Sequence, residues 1–128
     1  MRRFFMFLGL WLVAGGAHAG AFSAALGRYR AAAACQGPAY QTVAAMVGQA
    51  VEAYRRAPVA WSVPAGRRAA ARLYGLAAVE AAKGCKPIAY ETYRFLLRRF
   101  DGPDFASWQR RAVRDVAVLR GTVIPPPR

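Results

Sequence analysis

"CQGPAYQTV" over residues 35–43 and "CKPIAYETY" over residues 85–93 decide how this chain is read. Each cysteine stands five residues before a tyrosine and leads into Ala-Tyr-x-Thr. Cys35/Cys85, Ala39/Ala89, Tyr40/Tyr90 and Thr42/Thr92 therefore pair at a constant offset of 50. Helix punctuation surrounds both stretches. Glycine suits the position just past a helix end, and proline suits the first turn of the next helix. Gly37-Pro38 and Gly84 followed by Pro87 have this order, so each cysteine is expected at a bend between two helices. The offset is what an internal duplication of a helical hairpin would leave, although alanine is abundant enough to supply some of the identities.

Outward from the two stretches, apolar residues recur at helical spacing and β-branched residues are sparse. Five helices are predicted. The first runs from about Ala21 to Cys35, with Phe22, Leu26, Tyr29 and Ala33 on one face. The second spans Ala39 to Arg56 and buries Tyr40, Val43, Val47, Val51 and Tyr54. Pro58 breaks the chain, and Ala57 to Ser62 are read as a loop that Trp61 anchors onto the bundle. The third helix starts near Pro64 and ends at Lys83, with Ala70, Leu73, Leu76 or Ala77, and Val79 inward. The fourth runs from Pro87 to Phe100 and buries Ala89, Tyr93, Leu96, Leu97 and Phe100. Asp101-Gly102-Pro103 is a turn, with Asp101 or Asp104 expected to cap a fifth helix. That helix continues to Arg120 and turns Phe105, Trp108, Ala112, Val116 and Leu119 inward. The expected fold is all-α: a small five-helix bundle of two αα-hairpins plus a C-terminal helix, closed by a Cys35–Cys85 disulfide. Its single domain covers residues 20–121, and the proline-rich residues 122–128 form a flexible tail.

Residues 1–19 read as a targeting segment. Arg2 and Arg3 precede an apolar run from Phe4 to Val13, and Ala17-His18-Ala19 is a small-residue cleavage pattern. The run is too short for a bilayer span, which needs about 20 residues. A secretory signal peptide fits this pattern better than a twin-arginine leader or a retained anchor. The expectation is export to the periplasm or beyond, where two cysteines pair by default. Loss of Arg2 and Arg3 lowers the formal charge from +13 to +11.

Several chemistries lack their residues. The only histidine is His18, so the processed chain has no Ser-His-Asp or Cys-His nucleophile system and no histidine-ligated haem. Two cysteines without histidine do not complete a structural zinc site. They are also not arranged as Cys-x-x-Cys, and no glycine-rich phosphate loop is present. No catalytic residue, metal or cofactor is nominated. The remaining acid–base groups are Glu52, Glu80, Glu91, Asp101, Asp104 and Asp115. Glu91 with Arg94 and Asp115 with Arg111 have the spacing of helix-surface pairs. Glu80 falls near the inner side of its helix, where pairing with an arginine is the plain expectation.

The basic excess is carried by 17 arginines against 2 lysines. Solvated helix faces and a GC-rich coding bias account for part of it. Arg94 and Arg98 lie one turn apart on the fourth helix, as do Arg110 and Arg114 on the fifth. Arg67, Arg68 and Arg72 crowd the start of the third, where the helix dipole disfavours cations. Arginine suits bidentate recognition of phosphate and carboxylate. These seven residues are the candidate surface for an anionic partner, either an acidic protein or the envelope surface. Export makes nucleic acid a poor physiological target. The sequence thus points to an exported, non-enzymatic helical binding protein of the immunity or inhibitor kind. The alternative is a small envelope hydrolase that uses carboxylates, which would require two of them converging in a cleft.

Overall fold

Two glycines with positive φ set the bends around which the chain folds. Gly37, at φ 146°, leads into the second helix, and Gly84, at φ 84°, closes the third. Side-chain-bearing residues rarely adopt these values. The computed structural model describes residues 20–123. The expected leader, residues 1–19, and the tail from residue 124 lie outside the described residues. Among those described are five α-helices, one 3-10 turn and no strand: α1 over residues 20–31, then α2 (Pro38–Arg56), α3 (Val59–Ala82), α4 (Lys86–Arg99) and α5 (Ala106–Val123), with the 3-10 turn at Pro103–Phe105. No helix among the described residues is long and apolar enough to cross a membrane.

The bundle is built around α3, which packs against α2, α4, α5 and the 3-10 turn, while α4 also packs on α5. Short connections between α2 and α3 and between α3 and α4 make successive helices antiparallel. α2 and α4 therefore run parallel and both start at the same end. The Cys35–Cys85 disulfide lies at that end, with Cα atoms 5.7 Å apart. α3 closes as a Schellman motif: the Cys85 N–H donates to the Glu80 carbonyl and the Gly84 N–H to the Ala81 carbonyl. The two repeated threonines also match, since Thr42 donates to the Pro38 carbonyl and Thr92 to the Ile88 carbonyl, each at 3.0 Å. The two stretches differ at their cysteines: Cys85 directly precedes α4, whereas Gln36 and Gly37 separate Cys35 from α2.

The structure differs from the sequence reading in several places. α1 ends at residue 31 instead of Cys35. The Lys83 ammonium caps it, donating to the Tyr29 carbonyl at 2.8 Å and to that of Ala32. The Tyr29 hydroxyl meanwhile holds the link by donating to the Cys35 carbonyl at 2.8 Å. α3 starts at Val59, not Pro64, and carries Pro64 inside it. Pro64 has no N–H to offer the Ala60 carbonyl, and Ala60 stands on the exposed side of the helix. Trp61 does not anchor to the bundle; it stands exposed. The turn does not lead straight from an aspartate cap into the last helix: Gly102 precedes the 3-10 turn Pro103–Phe105, with no side-chain cap, and that turn leads into α5. Helix α5 continues through Thr122 and Val123, two residues placed in the tail from sequence.

The end opposite the disulfide is closed by aromatic rings. Phe100 and Phe105 meet edge to face at 5.2 Å, and Tyr54 lies 5.1 Å from Phe100 and 5.9 Å from Phe105. Gly66 is what lets α3 approach them. A Cβ there would fall 2.6 Å from Phe105 Cζ and 2.8 Å from Tyr54 Cε1. Gly66→Ala is expected to destabilise the domain by about 1–3 kcal/mol through overpacking. Urea denaturation checks this, and a variant as stable as the parent would mean the rings yield without cost.

Candidate functional site

The parallel helices α2 and α4 both pack on α3 without packing on each other and leave an open groove of about 690 Å³. Leu73 and Leu76 of α3 form its floor. Val47 and Val51 line one wall, and Ile88 and Phe95 the other. Tyr40 and Thr92, from the two copies of the repeated motif, lie on opposite walls toward the disulfide end. Arg98 lies toward the far end. The spacing that marked these residues in sequence gave no sign that a groove would separate the helices.

One turn beyond Leu76 on α3 is Glu80, with 0% of its surface exposed. Neither carboxylate oxygen receives a hydrogen bond. Burial pushes its carboxyl up to about 7. Thr92 lies close enough to ease that shift, but its hydroxyl proton goes to the Ile88 carbonyl. The expected arginine partner is absent because tyrosines surround the position instead. Burial raises the hydroxyl pKa of Tyr29, up to about 12, and those of Tyr40 and Tyr93, and the negative charge of Glu80 raises all three further. A buried acid of this kind can hold or release a proton near neutrality. No second carboxylate contributes to its shift, and no group of acidic or sulfur side chains among the described residues could hold a metal.

Asp115 does not pair with Arg111. It accepts hydrogen bonds from the hydroxyls of Tyr74 at 2.7 Å and Tyr93 at 3.0 Å, while Arg111 lies over the Trp108 ring. Glu91 likewise leaves Arg94 to the Tyr90 ring, 5.7 Å from its centroid. Aromatic faces attract guanidinium groups, and helix spacing alone does not reveal that competition. Among the described residues, the carboxylate–guanidinium contacts are those of Glu52 with Arg55 at 3.0 Å and Arg56 at 2.9 Å.

The candidate arginines separate into two groups. Arg94, Arg98, Arg110 and Arg114 are all exposed on the adjacent helices α4 and α5, as are Arg67 and Arg68 on α3. Arg67 also donates to the Asp104 carbonyl at 3.5 Å. Arg72 is a bracing residue. Its guanidinium lies 5.0 Å from the Phe22 ring centroid and donates to the Met46 carbonyl at 3.3 Å, tying α3 to α1 and α2. No family model, curated protein or solved structure matches this chain.

Proposed function

We propose that this chain is an exported, periplasmic, non-enzymatic helical protein that binds an anionic partner, an acidic protein or the envelope surface, as an immunity or inhibitor protein would. The observation that carries this reading is the set Arg94, Arg98, Arg110 and Arg114. All four are exposed on neighbouring helices, and no carboxylate pairs with them among the described residues. Like charges one turn apart destabilise each helix by about 0.2–0.5 kcal/mol, which an anionic partner relieves. Support for export comes from the leader pattern of residues 1–19 and from the Cys35–Cys85 disulfide, since such bonds persist in oxidising compartments. The hydrolase alternative has buried Glu80 in its favour, but among the described residues no second carboxylate contributes to its environment.

Sedimentation with anionic and neutral vesicles, and retention on acidic polymers and acidic proteins, at low and high salt tests the reading. Exposed charges are screened over about 8 Å at physiological ionic strength, so binding should weaken with added salt. Each basic residue near an anionic surface contributes about 1 kcal/mol. Replacing Arg94, Arg98, Arg110 and Arg114 with glutamine should therefore weaken binding by about three orders of magnitude, with helicity unchanged. Equal binding by parent and variant, or none by either to any anionic surface at low salt, would reduce the charge to composition.

A further inference from the structure

At the corner between α2 and α3, four successive apolar residues project from the bundle. Pro58, Val59, Ala60 and Trp61 are all exposed, Val59 at 93% and Trp61 at 68%. Exposed large apolar residues elsewhere, Val113 and Val118 on α5, stand apart from each other. Four exposed arginines flank the corner: Arg55 and Arg56 in the last turn of α2, and Arg67 and Arg68 on α3. Glu52 offsets part of the charge on Arg55 and Arg56, and the Asp104 carbonyl accepts from Arg67; Arg68 has no such contact.

From this corner we infer that the protein anchors on an anionic phospholipid bilayer by inserting Trp61 and Val59 into its interface. The inference rests on the anionic-partner reading and narrows the partner to lipid. Tryptophan favours the headgroup boundary because its ring is apolar while its N–H stays hydrated. Arg68 follows Trp61 by seven residues, nearly two helical turns, on the same side of α3 and about 10 Å along its axis. Interfacial anchors bury their apolar face about 5–10 Å into the headgroup boundary. With Trp61 at that depth, Arg68 lies at the level of the phosphates, and Arg55, Arg56 and Arg67 stand around the point of entry. A projecting corner needs no matched pocket in a fluid interface, whereas a protein partner would have to supply one.

The test uses a chain starting at Gly20, which keeps every described contact, carrying Trp108→Phe so that Trp61 is its only tryptophan. It is mixed with phosphatidylglycerol/phosphatidylcholine vesicles and with phosphatidylcholine vesicles. The anionic vesicles should shift Trp61 emission to the blue, and brominated lipid should quench it; neutral vesicles should do neither. In the parent sequence, Trp61→Ala with Val59→Ser should lower vesicle partitioning about tenfold or more through lost apolar burial. Circular dichroism should remain unchanged, because neither side chain packs in the core. Anionic vesicles that bind without quenching Trp61 would overturn the anchor and leave the anionic-partner reading standing. Acidic polymer or protein that binds while anionic vesicles do not would have the same meaning. No binding to any anionic surface would overturn both.

Discussion

With Cys35 and Cys85 both replaced by alanine, the domain is expected to lose about 4 kcal/mol of stability. The bond closes a loop spanning a sequence separation of 50, and in the chain-entropy account a closed loop of that length removes this much freedom from the unfolded chain. For a domain of this size the loss corresponds to a melting point lowered by about 15–30 °C. The position of the bond adds a structural consequence. It ties the starts of α2 and α4, which have no direct packing contact among the described elements. Their separation across the groove is therefore held by α3 and the disulfide. Melting curves of oxidised protein, reduced protein and the double variant check the prediction. Reduced and variant forms should melt together, well below the oxidised form. Three curves within about 5 °C of one another would show that packing on α3 suffices.

Stability should also fall as pH rises through neutrality, because of Glu80. Its carboxyl stands at 4.5 when unperturbed and at about 7 in the fold. The folded state therefore holds a proton that the unfolded chain releases. Below about 4.5 both states are protonated and the group contributes no difference. Stability then falls as pH rises through the folded value, and above about 7 the full penalty of about 3 kcal/mol applies. In a chain starting at Gly20 no imidazole is present to obscure this window, since the only histidine is His18. Urea denaturation at pH 5.5 and 8.5 should show the parent losing about 2–3 kcal/mol between them. Glu80→Gln should be nearly flat over the same range and more stable than the parent at pH 8.5. A parent whose stability is the same at both pH values would mean that the carboxylate gains solvent or a partner on ionising.

The helices were legible because their signals are local. Gly37-Pro38 and Gly84 with Pro87 punctuate the chain through backbone geometry, and the apolar stripes of α2, α4 and α5 follow the helical repeat. The disulfide was legible too, from matched cysteines at two bends. Local signals misled where a distant side chain intervened. Lys83 and Tyr29 fix the link after α1 from 54 and 6 residues away in sequence. Pro64 resembled a helix start, yet it is carried inside α3, one turn after Ala60, an exposed residue.

For the candidate sites the division follows the same physics. Sequence by itself determined the charge excess and the inward placement of Glu80, since composition and helical phase do not depend on neighbours. Only the tertiary structure decided which groups meet across helices. It gave Asp115 to Tyr74 and Tyr93, turned Arg94 and Arg111 onto aromatic rings, and set Arg72 as a brace between α1 and α2. It also left Glu80 unpartnered, opened the groove between α2 and α4, and exposed Trp61 at a corner. These outcomes depend on competition between partners brought together from separate elements, and the spacing within one helix carries no information about that competition.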